Sequence, residues 1–259
     1  DLRARQRELL AREVPQLLER VAWLDRPPAD FDGVILANEV LDALPVERFG
    51  WTAGQVRQIG VRNAAAGFEW AAREAPAGMR DHCRELARAG GGWPDGYVSE
   101  FCPRMPAWTA AVTAGLRRGV VLWIDYGLPR SQYYLAERAQ GTLLCHFQQR
   151  VADDPLRLAG LQDITAWVDF TAVAQAGAAA GFEVAGFTTQ AWFLAACGID
   201  AEMQALAGGD AQRFARLAGQ ARQLVLPGEM GERFKVMAWS RGGCDGLRGF
   251  SARDFLYSL

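Results

Sequence analysis

The stretch GVILANEVLDALP, residues 33–45, decides how this chain reads. Gly33 to Ala37 form an apolar run without polar alternation, as a strand covered on both faces requires. The run ends abruptly in Asn38, Glu39 and Asp42 and stops at Pro45. Carboxylates beside an apolar sheet are costly unless something pairs with them. GVVLWIDYG, residues 119–127, repeats the pattern, closing on Asp125-Tyr126-Gly127. Strand, helix and strand at these spacings predict an α/β fold with a mostly parallel sheet and helices on each face. In such sheets ligands bind at the carboxyl ends of the strands. One strand-end acid reads as a helix cap or an arginine partner. Two strands ending alike predict a shared site at one sheet edge.

Residues 2–14 put Leu2, Leu9, Leu10 and Val14 near helical spacing, and Pro15 opens a second short helical piece. RVAWLD, residues 20–25, reads as a short strand. VERFGW, QVRQIGVR and FEWAARE alternate apolar with polar and are joined by Ala53-Gly54 and by NAAAG. They predict an antiparallel β insertion over residues 46–74. GMRDHCRELARAGGGW predicts a helix ended by its glycines, and MPAWTAAVTAGLRRG a helix with Gly119 as its C-cap. Asp169 is placed to cap a helix running to Gly181, which feeds the strand FEVAGFT. Thr188 or Thr189 caps QAWFLAACG, residues 201–223 are helical, and RFKVMAWSRG is the last clear strand. No internal repeat or low-complexity linker appears, so residues 1–259 read as a single domain.

A net charge of −2 supplies no basic face for nucleic acid. Lys235 is the only lysine, a bias attributed to genome base composition. Five cysteines, an odd number with no CxxC spacing, argue against a zinc site or a disulfide framework and for reduced thiols in the cytoplasm. No apolar run reaches transmembrane length and no signal peptide is visible, so no membrane insertion is expected. The chain starts at Asp1 inside a helical pattern, which leaves room for a missing upstream segment.

There is no GxGxxG, Walker-type phosphate loop or GxSxG. Gly90 to Gly92 follow a helix and read as a C-cap. His82 and His146 are the only histidines and lack metal-ligand spacing, while Cys145 and His146, adjacent on a strand, point to opposite faces. Metal catalysis and triad hydrolysis are set aside. A carboxylate-rich cleft with Trp23 and Tyr126 remains. It suits a cationic substrate, above all a guanidinium, which takes carboxylates bidentately.

ANEVLDALPVERF, EFCPRMPAW, LWIDYG, GTLLCHFQQRVADDPLRLAGLQDITAWVDFTAVAQAG, GFTTQAWFLAACGI and MGERFKVMAWSRG occur here in the order found in one family. By these blocks the chain resembles the MidA group of S-adenosylmethionine-dependent methyltransferases from Asp1 to about Phe250. Mitochondrial members of that group are arginine methyltransferases that help to assemble respiratory complex I. The resemblance implies a class I methyltransferase, Rossmann-like fold whose last strand is antiparallel, a place RFKVMAWSRG would fill. It also implies an incomplete sheet. The family's glycine-rich loop after the first strand and the ribose-gripping acid after the second are missing here, and DLRARQRELLA resembles the helix that follows that second strand.

The resemblance further implies roles. Trp23, Leu24 and Asp25, at the third strand's end, would lie near the adenine, and Ala37 and Asn38 near the methionine part of S-adenosylmethionine. Glu39, then Asp42, with Asn38 beside them, would orient the substrate nitrogen. Glu100, Asp125, Tyr126, Gln162, Asp163, Thr165 and Asp169 would line the substrate side, with 128–168, including the DDPL turn at 153–156, as a substrate-side loop. The implied partner is a protein substrate offering arginine, with a complex I subunit as one such target. The expected location is the bacterial cytoplasm, or the mitochondrion for eukaryotic relatives. Two other readings stand beside the enzyme: a non-catalytic binding or assembly protein or inactive fragment of the family, and a methyltransferase acting on small molecules. An incomplete sheet also predicts self-association.

Overall fold

The computed structural model describes every residue except Ala66, Gln149, Asp153 and Asp245. α1 (Leu2–Glu13) starts at Asp1, whose carboxylate accepts the Arg3 N–H at 3.2 Å, and a 3-10 turn follows over Pro15–Arg20. β1 (Phe31–Asn38) is the first strand. β2 (Glu47–Thr52), β3 (Gln55–Ala64) and β4 (Gly67–Glu74) form the expected meander. α2 (Ala77–Ala89) packs on it, and β5 (Tyr97–Phe101) returns to pair with β2, closing a four-stranded antiparallel sheet.

α3 (Met105–Thr113) leads into the long strand β6 (Leu116–Leu128), followed by the short helix α4 (Arg130–Tyr133). β7 (Leu144–Phe147), β8 (Arg150–Ala152) and β9 (Asp163–Thr165) make a small antiparallel sheet. β10 (Val168–Asp169) runs parallel to the end of β6 and opens α5 (Phe170–Ala179). β11 (Glu183–Thr189), α6 (Gln190–Cys197), α7 (Ile199–Ala207), α8 (Ala211–Val225), α9 (Met230–Arg233) and β12 (Phe234–Arg241) complete the order.

The main sheet runs β1–β6–β12–β11. β1 lies parallel to β6, and β12 is wedged antiparallel between β6 and β11. The Trp123 and Trp239 rings meet edge-on at 5.1 Å on one face, packed with Phe170, Val173 and Phe187 beneath α3 and α5. Val120, Val236, Ala238 and Phe250 fill the other face. The β insertion has its own core, where Trp93 stacks flat on Tyr97 at 4.7 Å and donates through Nε1 to the Tyr134 carbonyl.

Several expectations change. Residues 21–25 form no strand, because no strand pairs with them, and they lie exposed or half-exposed along α1. β1 is covered on one face only: Ala37 is buried, but Val34 and Leu36 are 65% and 66% exposed. α6 packs against β11 and β12, and α9 against β6, β11 and β12. Gly119 caps nothing. α3 stops at Thr113, and Gly119 sits within β6 at φ 145° opposite Gly33, where a Cβ would stand 1.8 Å from the Gly33 oxygen. The helical stretch 201–223 breaks at Gly208, and Asp210 caps α8 by accepting the Gln212 and Arg213 N–H groups. Asp153, in the expected DDPL turn, lies outside the described residues.

Gly119→Ala tests the close β1–β6 approach. It is expected to destabilise by about 3 kcal/mol or more, read as a lowered urea midpoint. An unchanged midpoint would show that the two backbones can separate freely.

Candidate functional site

The two strands that end in acids do share a rim. β1 delivers Asn38 and Glu39 at its carboxyl end, both exposed, with Asn38 Nδ2 donating to Glu39 Oε1 at 3.1 Å. Glu39 takes a left-handed φ of 50°, uncommon for a residue with a side chain, and so turns the chain sharply out of the sheet. Its N–H still bonds the Ile124 carbonyl on β6 at 2.9 Å.

Asp125 holds the turn that follows. Its Oδ2 accepts the backbone N–H groups of Val40, Leu41 and Asp42 at 3.2, 2.9 and 3.2 Å. Its Oδ1 accepts the Tyr126 N–H at 3.0 Å. Converging amides form a concavity suited to an anion. Asp125 is 1% exposed, and burial, followed by the nearby Asp42, pushes its carboxyl up to about 7 against the amides' opposing pull.

Asp42 is also buried, at 5% exposure. Its Oδ2 accepts the Tyr126 hydroxyl at 2.5 Å, and its Oδ1 meets no partner among the described residues. Burial raises its carboxyl, repulsion from Asp163 adds to that, and the Tyr126 bond opposes it. Burial and the Asp42 bond raise the Tyr126 phenol in turn, and Thr165 opposes them. The Ala166 N–H donates to the Asp42 carbonyl at 3.1 Å, tying the end of β9 to the turn. Asp42, Asp125, Tyr126, Asp163 and Thr165 therefore form one cluster, with Asn38 and Glu39 at its edge. Tyr126 fixes the orientation of the Asp42 carboxyl, whose other oxygen is buried and unpaired among the described residues.

The remaining candidates lie elsewhere. Trp23 donates through Nε1 to Gln6 at 2.9 Å beneath the Arg7 guanidinium, and the Leu24 carbonyl and Asp25 carboxylate bind Arg3. All three therefore attach to α1. Gln162 donates to the Asp154 and Arg157 carbonyls and closes its own loop. Asp169 caps α5 through the Ala172 N–H and pairs with Arg130 at 3.0 Å.

Glu100 is fully buried in the insertion. Its Oε1 accepts from the Thr142 N–H and hydroxyl at 2.6 Å each and from the Tyr133 hydroxyl at 3.2 Å. Gly141, at φ 76°, leaves the space its other oxygen fills. Solvent and substrate are shut out, so Glu100 works as a tether for the 140–142 segment and not as a substrate contact. The sequence reading missed Arg130, Tyr133 and Thr142. The strand–Pro–Arg step at Leu128-Pro129-Arg130 was the available signal for the first.

Residues 1–188 match the family described as "Putative S-adenosyl-L-methionine-dependent methyltransferase". A crystal structure from Burkholderia thailandensis, described as a "likely methyl transferase" bound to S-adenosyl-homocysteine, is 42% identical. It superposes with a TM-score of 0.93 over 100% of this chain and 66% of its own. A native crystal structure of an uncharacterized protein of the same superfamily and organism is 42% identical, with a TM-score of 0.91 over 100% and 68%. This chain thus spans about two thirds of the length of those structures. No curated protein matches it. Among the described residues, no helix is long and apolar enough to cross a membrane.

The Asp125 shift has a pH signature. Its folded value, about 7, lies above the ordinary 3.8, so the native state holds a proton that the unfolded chain releases. The resulting stability is fully present below about pH 4 and is lost as pH rises through about 7. Asp125→Asn keeps an acceptor for the turn and does not titrate. Unfolding free energies measured from pH 4 to 8 are expected to show the wild type falling relative to this variant. A constant difference would place the Asp125 carboxyl at its ordinary value.

Proposed function

The chain belongs to the family described as "Putative S-adenosyl-L-methionine-dependent methyltransferase", and from that premise we propose that it carries the methyl-acceptor side of an S-adenosylmethionine-dependent methyltransferase acting on protein arginine. The observation that carries this reading is the Asp42 carboxyl. It is buried, clamped by Tyr126 through one oxygen and without a partner on the other. A buried unpaired acceptor is costly, and a substrate N–H is its natural complement.

The residues present fit the cofactor at the β1 rim. Asn38 and Glu39 offer an exposed amide and carboxylate to its methionine ammonium. When bound, S-adenosylmethionine supplies a methyl group activated on a sulfonium. Everything else required is positioning. Asp42 would take one guanidinium N–H, Asp163 would hold the cationic charge nearby, and Tyr126 would keep the carboxyl in one orientation. Placing a nucleophile in line is worth up to ~7–11 kcal/mol in well-oriented systems. Family resemblance supports a subunit of respiratory complex I as the protein acted on.

The attachment of Trp23, Leu24 and Asp25 against α1 favours a second reading, that the chain binds a partner and transfers nothing. Equilibrium dialysis with S-adenosylhomocysteine and a radiolabelled methyl-transfer assay on arginine peptides separate the two. Under the enzyme reading, Asp42→Asn lowers kcat/KM by about two to three orders of magnitude and leaves S-adenosylhomocysteine affinity unchanged. Glu39→Gln weakens both. Full-rate methylation by Glu39→Gln would remove Glu39 from the site, and absence of cofactor binding by the wild type would favour the binding protein.

A further inference from the structure

Behind the Asp42 turn lies a pocket of about 380 Å³ that the cluster described above does not use. It opens between the insertion and α5, at a rim formed by Pro103, Pro106 and Gln175, all exposed. Its floor is apolar and buried, built from Leu41, Met105, Val168 and Ala176, with Phe101 and Trp167 half-buried as walls.

One corner is polar. Arg130 Nε bonds Asp169 Oδ2 at 3.0 Å and its Nη2 bonds Gln175 Oε1 at 2.9 Å. Its Nη1 meets no hydrogen-bond acceptor among the described residues. His82 completes the corner, with its ring 4.6 Å from that of Phe101. Burial, and after it the Arg130 charge, lowers the His82 pKa, so the imidazole is neutral near pH 7. Asp169 offsets Arg130 at contact distance. The corner thus offers hydrogen-bond donors without net charge. An apolar floor with a few convergent polar groups, at this volume, is how small-molecule sites are built.

We infer that this pocket is a ligand site, separate from the Asp42–Tyr126 cluster, for a small uncharged molecule with an apolar ring or branched body and one carbonyl-type acceptor directed at Arg130. A free carboxylate is disfavoured because Asp169 already answers the guanidinium. A pure hydrocarbon is disfavoured because it displaces water from Nη1 and offers no acceptor in return. The inference needs neither the cofactor nor methyl transfer.

Three probes of similar size test it: benzamide, benzoate and toluene, titrated onto the full chain by saturation-transfer-difference NMR. Benzamide is expected to bind saturably, with the other two weaker by about tenfold or more. Ala172→Phe, set on α5 at the pocket wall, should abolish benzamide binding while the near-ultraviolet circular dichroism keeps its native form. Arg130→Lys keeps a cation opposite Asp169 and removes the planar fork. It should bring benzamide down to the level of toluene, and it decides the matter alone if Ala172→Phe fails to fold. Toluene binding as tightly as benzamide, benzamide binding that survives both substitutions, or no wild-type binding at millimolar probe would each overturn the assignment.

Discussion

The Asp125 carboxylate is the constraint on which the candidate site rests. It stands at the end of β6 and gathers three successive amides from the turn after β1, 83 to 85 residues away in sequence. Three amides converge on one oxygen, and a carboxyl oxygen accepts whether the group is charged or neutral. These bonds make one geometry of the turn far better than its alternatives. That geometry requires Glu39 to adopt a positive φ, a conformation that costs on the order of 1–3 kcal/mol and persists because the surrounding bonds over-determine it. With the turn fixed, Asp42 is driven inward and Glu39 outward. Two neighbouring acids thereby acquire opposite environments from a single cross-strand contact.

The later parts of the chain complete this arrangement from outside the main sheet. The small β7–β9 sheet carries Asp163 and Thr165 to the cluster, and β10 continues from it alongside the end of β6. Gly127 permits that approach, since a Cβ there would lie 2.2 Å from the Val168 oxygen. Glu100 serves the same architecture at one remove, holding Thr142, whose hydroxyl accepts the Trp167 N–H at 3.0 Å. A fully buried acid is used as an internal clasp between the insertion and the loop that follows α4.

Much of the fold was legible because its signals are local. The apolar runs of β1, β6 and β12, the alternating meander, and the caps at Asp169 and Thr189 all appear where sequence places them. Residues 21–25 were misread because a strand exists only through its neighbours, and a short apolar run carries no record of whether one is there. Gly119 was misread for a related reason. A glycine before a strand looks like a cap, yet its use here is a close crossing with Gly33, a contact between distant residues.

The site was legible in its acids but not in their roles. Asn38, Glu39, Asp42, Asp125 and Tyr126 were singled out as a group and do converge. Nothing in the spacing said that Asp125 would face amides, that Asp42 would keep an unpaired oxygen, or that Glu100 would be sealed. Those distinctions depend on burial and on partners such as Tyr133 and Thr142, which come from other elements.

The wedged position of β12 has a consequence for how the molecule comes into being. β6 and β11 are both made before it, yet neither touches the other, because the gap between them belongs to residues 234–241. As the chain leaves the ribosome, β11 has no neighbour in this sheet to join until residues 234–241 have emerged. Closure of the sheet is therefore a late, long-range event, of the kind that slows folding and leaves apolar edges exposed to chaperones in the interval.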